Sequence, residues 1–232
     1  MKVLKLTWDS VFFGYPIGKI DWRTTEKEDL QYFNKYTRPF KLVYIFSQEP
    51  IKDFEKLNLK HVDTKVTFSK RVLEYNKIYD ICLEYINSKS AFKELLSLAY
   101  ESGKYSRFKN DNYFVKNEFE RLYEEWILKS INKDIAFKVL VEKKNDIISG
   151  FVTLGKFSET TSEIGLIAVR DEIQGTGVGS KLIKCAESTS LAKNYKFLQV
   201  STQEENQQAM QFYIKNGFCI KEKVYIYHYW NL

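Results

Sequence analysis

Residues 174–180, Gln174-Gly175-Thr176-Gly177-Val178-Gly179-Ser180, place three glycines in five positions between an apolar run and a helical pattern. The run is Ile164-Gly165-Leu166-Ile167-Ala168-Val169, and the pattern is Leu182, Ile183 and Ala186. A strand therefore ends, a turn follows and a helix begins. The first amides of a helix lack intrahelical partners, and the helix dipole is positive there. Glycines let a bulky anion approach that backbone closely. A phosphate-bearing ligand is the first expectation, and a plain strand-to-helix turn is the alternative.

Counting removes two familiar phosphate loops. A Walker A loop needs Gly, four residues, then Gly-Lys-Ser/Thr. Lys181 is in place when counting starts at Gly175, but Ser180 stands where the second glycine belongs. A dinucleotide fingerprint needs glycines at positions one, three and six, and Ser180 again takes the last. What remains is Gln-x-x-Gly-x-Gly, read as Gln174, Gly177 and Gly179. Downstream, Phe197 to Thr202 reads as a short strand. Asn206 to Phe218 then reads as a helix closed by Gly217.

Composition narrows the classes. The chain has 232 residues with 44% hydrophobic and 28% charged residues, enough for one large or two small soluble domains. No apolar run approaches the roughly 20 residues of a membrane span. Met1 to Lys5 shows no long apolar core after its charges, so a cytoplasmic location is expected. The three cysteines, Cys82, Cys185 and Cys219, lack metal-site spacing and are expected as free thiols. With only two histidines, His61 and His228, neither a metal site nor a Ser-His-Asp triad is expected. The net charge of +6 could suit nucleic acid. The lysines are spread along the chain, so steering of polyanionic small ligands is the better reading and no nucleic-acid partner is expected.

The chain reads as two units, 1–75 and 76–232. The first has strand candidates at Val3–Leu6, Ile17–Ile20, Lys41–Phe46 and Val62–Val72. Thr25–Tyr36 and Pro50–Leu57 carry helix-like polarity. In the second, Tyr79–Tyr85 reads as a strand, and Ser90 as an N-cap of a helix to Tyr100. Gly103–Tyr113 reads as a polar-aromatic loop, and Val115–Ile131 as a longer helix. Three meander strands, 136–143, 147–156 and 161–169, precede the glycine turn, and Lys221–Trp230 is expected as a final strand pair.

The Gln-x-x-Gly-x-Gly turn resembles the acetyl-CoA loop of the GNAT superfamily of N-acetyltransferases. Asn-x-x-Ala-x-x-Phe-Tyr-x-x-x-Gly-Phe, here Asn206 to Phe218, resembles the second half of that family's signature. The two halves stand in the family's order and spacing. The resemblance implies an α/β fold of the α+β GNAT type. Its central sheet is mixed and mostly antiparallel, flanked by helices, with a smaller N-terminal α/β unit added. It implies acetyl-CoA as cosubstrate, no metal, and transfer of the acetyl group to a primary amine.

Roles follow for residues that match. The backbone amides of Gly175, Thr176, Gly177, Val178, Gly179 and Ser180, with Gln174, would hold pyrophosphate. Leu166, Ile167, Ala168 and Val169 would pair with pantetheine as an added strand. Asn206 would serve the cofactor side or act as an N-cap. Tyr213 would be the general acid for the leaving thiolate, with a packed helix-face aromatic as the alternative. Glu163, placed by period-two alternation on the face of Gly165 and Ile167, is a candidate base, with a plain surface role equally open. Asp9 is a second candidate.

Two further segments point to the acceptor. Leu6-Thr7-Trp8-Asp9-Ser10-Val11-Phe12-Phe13-Gly14 and Tyr105-Ser106-Arg107-Phe108, the latter followed by Phe119, Tyr123 and Trp126, resemble the GNAT members that acetylate dTDP-4-amino-4,6-dideoxygalactose (dTDP-fucosamine) for surface polysaccharide. The resemblance implies that Trp8, Asp9, Ser106, Arg107 and Phe108 border a nucleotide-sugar substrate. Arg107 suits a diphosphate, and Trp8 or Phe108 a thymine ring. Another primary amine, on a peptide, a lysine or a small metabolite, is the alternative, and a non-catalytic CoA-binding module is a third. A homodimer is left open.

Overall fold

A computed structural model describes residues 2–22, 32–73 and 82–232. In chain order the elements are β1 (Leu4–Lys5), α1 (Thr7–Phe13), β2 (Ile17–Trp22), α2 (Phe33–Thr37), β3 (Leu42–Ser47), a 3-10 turn at Phe54–Leu57 and β4 (Lys60–Arg71). There follow β5 (Leu83–Glu84), α3 (Lys89–Ser102), α4 (Arg107–Asn110), α5 (Glu118–Ile131), β6 (Lys138–Lys144), β7 (Ile147–Lys156) and β8 (Thr161–Val169). A 3-10 turn at Asp171–Ile173, α6 (Val178–Ala192), β9 (Phe197–Gln203), α7 (Gln207–Lys215) and β10 (Cys219–Trp230) complete the chain.

The chain forms two compact units. One holds Met1–Val66, Gln203–Glu205 and Glu222–Leu232, and the other Thr67–Thr202 and Asn206–Lys221. The end of the chain thus returns to the first unit, which a single cut near residue 75 does not describe. In the first unit β2 and β3 are parallel, and β3 pairs antiparallel with β10 from Tyr225↔Ser47 to Trp230↔Leu42. Ile20, Phe33, Val43, Ile45, Ile51, Leu59 and Tyr227 form its core. The aromatic segment after Leu6 is helical, and Gly14 closes it at φ +81, a left-handed conformation that glycine adopts without strain.

In the second unit the strands follow the order β4-β9-β8-β7-β6-β5. The meander β6-β7-β8 is antiparallel, and β8 runs parallel to β9. Helix α3 packs on β7 and β8, and α6 on β6, β7 and β8. The Ser162 hydroxyl donates to Ser190 at 2.7 Å, tying β8 to α6 inside the core. Lys70 on β4 pairs with buried Glu187 on α6 and donates to the Asn216 carbonyl at 2.9 Å.

Several sequence expectations are corrected. Lys221–Trp230 belongs to one strand, β10, because no turn residue interrupts its alternation. Ser88, not Ser90, caps α3 by accepting from the Ala91 N–H at 3.2 Å. The helix expected from Val115 starts at Glu118, and α4 interrupts the expected loop. Within 50–57 only the last four residues coil, as a 3-10 turn. Of the strand expected over Tyr79–Tyr85, Leu83–Glu84 is formed and residues 79–81 lie outside the described residues. Residues 25–31 of the expected N-terminal helix also lie outside them, and α2 occupies 33–37. The thiols are not all free. Cys82 and Cys185 form a disulfide across a sequence separation of 103, with Cα atoms 6.1 Å apart, and Cys219 alone is free.

Candidate active site

The glycine turn places its backbone in the open. Gly175 and Gly177 have φ of +78 and +95, and a Cβ at either would meet nothing within 4 Å. Gly177 is the N-cap of the 15-residue α6, and no side chain caps that end. The N–H groups of Val178, Gly179 and Ser180 therefore point out of the helix end beside exposed Gly175, Thr176 and Gly177. A diphosphate fits this arrangement, since donors, dipole and free space coincide.

The side chains around the turn hold its shape. Gln174 donates to the Val169 carbonyl at 3.1 Å and to Asp171, and accepts from Gln208 on α7 at 2.8 Å. Thr176 donates to the Ile173 carbonyl at 2.7 Å. Lys181 pairs with Glu142 on β6 at 2.7 Å. Gly179 lets α7 approach, because a Cβ there would stand 3.0 Å from the Phe212 ring.

β8 supplies the second feature. Its pairing with β9 runs from Thr161↔Phe197 to Ile164↔Val200 and stops, although both strands continue. Residues 165–169 keep β7 on one side, so their other edge has no strand beside it from β9. A bulge lies at this point. Leu154 faces Ile164 while Val152 faces Ile167, so β8 advances three residues where β7 advances two. Leu166 N–H donates to Thr153 Oγ1 at 2.9 Å, and Arg170 N–H to the Ser149 carbonyl at 3.0 Å. Leu166, Ala168 and Arg170 thus turn their amides toward β7. By alternation the N–H and C=O of Ile167 face the open edge, as do those of Val169, whose carbonyl takes Gln174.

The bulge also corrects the placement of Glu163. Cross-strand partners share a face, so Ile164 and Ile167 lie with Leu154 and Val152. Glu163, opposite Gly155, is on the other face, and the extra residue breaks the alternation that would have joined it to Ile167. Its carboxylate accepts from Gln199 Nε2 at 3.0 Å, and Gln199 in turn accepts from Lys221 at 3.3 Å.

Tyr213 lies on α7, about two turns from Asn206. Asn206 Oδ1 accepts from the Ala209 N–H at 3.1 Å, so its side chain is an N-cap. The Tyr213 ring is buried among Phe68, Phe212 and Phe218, with centroids 5.5, 5.4 and 5.8 Å away. Burial pushes its hydroxyl well above the ordinary phenol range, so it is a proton-bearing donor throughout the physiological range.

The proposed acceptor residues fall into both units. Trp8 and Asp9 lie on α1 in the first, where exposed Trp8 stacks on Phe12 at 5.0 Å. In the second, Ser106 is buried and caps α4 by accepting from the Phe108 N–H at 3.3 Å. Phe108 is buried against Phe114 and Trp126, so its ring is part of the core and not a platform for a base. Arg107 is half-buried, its guanidinium 4.4 Å from the Phe108 ring centre.

Sequence reading missed Thr153, Lys70 and the Gln174–Gln208 contact. Each acts across elements distant in sequence, and no local pattern marks it. Among the described residues no group of three or more His, Cys, Asp or Glu could hold a metal, and no helix is long and apolar enough to cross a membrane.

The chain is similar to known proteins. The chain is 27% identical over 136 residues to a dTDP-fucosamine acetyltransferase of Escherichia coli O6:H1, covering 58% of this chain and 56% of that protein. It is 21% identical over 136 residues to the spore coat polysaccharide biosynthesis protein SpsD of Bacillus subtilis, covering 59% and 46%. The chain thus spans about half the length of the curated relatives it matches. A crystal structure of a functionally unknown conserved protein from Staphylococcus epidermidis superposes with a TM-score of 0.63 at 16% identity, covering 94% of this chain and 84% of that one. The model of the acetyltransferase (GNAT) family matches residues 94–218, more than half of the chain, including β8, the glycine turn, Asn206 and Tyr213, so the chain belongs to that family.

Proposed function

We propose that the chain transfers an acetyl group from acetyl-CoA to the amine of a nucleotide-linked amino sugar, a dTDP-4-amino-4,6-dideoxyhexose, for surface polysaccharide. The observation that carries the acetyl-CoA part is the uncapped, exposed start of α6 beside the open edge of β8. The sugar class is supported by the dTDP-fucosamine acetyltransferase and spore coat polysaccharide names of the two relatives.

Acetyl-CoA, when bound, supplies the activated acyl group and a thiolate leaving group. The amides of Gly177 to Ser180 bind the diphosphate and draw on the α6 dipole, while the Thr176 N–H donates to the Ile173 carbonyl. Ile167 offers one N–H and one C=O to the pantetheine arm, as a neighbouring strand would. An oriented backbone donor of this kind is worth on the order of 3 kcal/mol where charge develops on an acyl oxygen. Tyr213 holds the proton for the departing sulfur. A free thiol has a pKa of about 8.5, below that of the buried phenol, so hydrogen bonding outweighs complete proton transfer. Arg107 is assigned to the sugar-nucleotide diphosphate. Glu163, held by Gln199 on the face away from Ile167, and Asp9 are assigned no direct proton transfer, and the amine deprotonates through solvent.

Thiol release by the purified protein, measured with dTDP-4-amino-4,6-dideoxygalactose and with peptide amines, tests the reading. We expect turnover with the sugar and its acetylated product by mass spectrometry. Turnover with peptides alone would move the substrate to a protein amine. CoA binding without turnover on any amine would leave a binding module.

A further inference from the structure

We propose that Thr153 is a positioning residue for the acyl group, its hydroxyl setting the β8 bulge that aims the Ile167 backbone at the open edge. The inference rests on the reading that acetyl-CoA lies along β8. Thr153 is on β7 at the point where the register with β8 shifts, and its side chain is 2% exposed. At a bulge one residue has no ladder partner, and a buried N–H left without an acceptor is costly. The half-buried Leu166 N–H finds its acceptor in Thr153 Oγ1 at 2.9 Å, a side chain standing in for the missing main-chain carbonyl.

Gly165 completes the pair. A Cβ at 165 would lie 3.0 Å from Thr153 Oγ1, so the hydroxyl occupies the space that any larger residue at 165 needs. Glycine at 165 and threonine at 153 are therefore complementary. The consequence is a change of phase. Without the extra residue, strict alternation from Ile164, whose backbone faces β9, would turn Leu166 and Ala168 toward the open edge. With it, Leu166 faces β7 and Ile167 faces out. The hydroxyl thus acts on the reacting group only through the backbone it holds.

The test compares Thr153→Val, which keeps the shape and removes the acceptor, with Thr153→Ser, which keeps the acceptor. Calorimetry gives the affinity of each for acetyl-CoA and for 3′-phospho-ADP, which carries the diphosphate and lacks the pantetheine arm. We expect Thr153→Val to weaken acetyl-CoA by about tenfold, the scale of one unsatisfied buried donor, with 3′-phospho-ADP unchanged. Thr153→Ser should match the wild-type protein for both. Gly165→Ala, which crowds the hydroxyl, should repeat the selective loss if Thr153→Val does not fold. Unchanged acetyl-CoA binding in these variants, or equal loss of both ligands, would overturn the inference. Wild-type protein that binds neither ligand would instead remove the acetyl-CoA reading on which it rests.

Discussion

At the residue scale the site turns on groups whose surroundings define their protons and donors. Tyr213 is walled by three phenylalanine rings, and its hydroxyl is pushed upward by burial. Tyr213→Phe should keep acetyl-CoA affinity and lower turnover by about tenfold or more, the range of acid–base groups, as read by thiol release. Glu163→Gln should change turnover by less than about threefold, because the carboxylate already faces Gln199 and not the open edge of β8. Burial of Tyr213 also makes stability depend on alkaline pH. Below about pH 10 the folded and unfolded chains both keep this proton, and the contribution is full. Above that the unfolded chain ionises first, and stability from this group falls by about 1.4 kcal/mol per pH unit until the folded phenol titrates too. Urea unfolding at pH 9, 10 and 11 should show the extra slope in the wild-type protein and not in Tyr213→Phe.

At the element scale Lys70 joins three pieces: β4, which carries it, α6 through Glu187, and the end of α7 through the Asn216 carbonyl. One cation therefore links the helix behind the diphosphate turn to the helix that bears Tyr213. Lys70→Met removes the cation paired with the buried Glu187 carboxylate and should cost about 3 kcal/mol by urea unfolding, at the low end for such pairs because Lys70 is 22% exposed. Adding Glu187→Gln should recover a large part of that loss. The elements around this junction were legible in sequence to different depths. Gly175 and Gly177 were plain because a left-handed turn before a helix needs glycine locally. The bulge at Gly165 was not, because period-two reading runs straight through an extra residue whose compensation, Thr153, lies on another strand. Ser88 and Ser90 stand within three positions of each other, and the cap falls to Ser88, whose backbone is extended and whose hydroxyl accepts from the Ala91 N–H.

At the scale of the whole molecule, the order of strands and helices in the second unit follows the acetyltransferase pattern read from the two signature halves. The return of Glu222–Leu232 to the first unit was hidden, because a strand's sequence does not name its neighbour. The Cys82–Cys185 bond was hidden for the same reason, with 103 residues between its ends. A closed loop near 100 residues restricts the unfolded chain by up to about 4.7 kcal/mol. Dithiothreitol, or Cys185→Ser, should therefore lower the melting temperature by about 10 °C for a chain of this size, read by scanning calorimetry. Cys219→Ser, which touches the free exposed thiol, should leave it unchanged. The same bond makes residues 82–185 a covalent ring that holds Arg107, Thr153 and the glycine turn together. A single protease cut inside that ring separates no fragment. The nicked chain would run as one species on a non-reducing gel and as two once the disulfide is opened, so resistance to cleavage and integrity after cleavage become two different measurements on this protein.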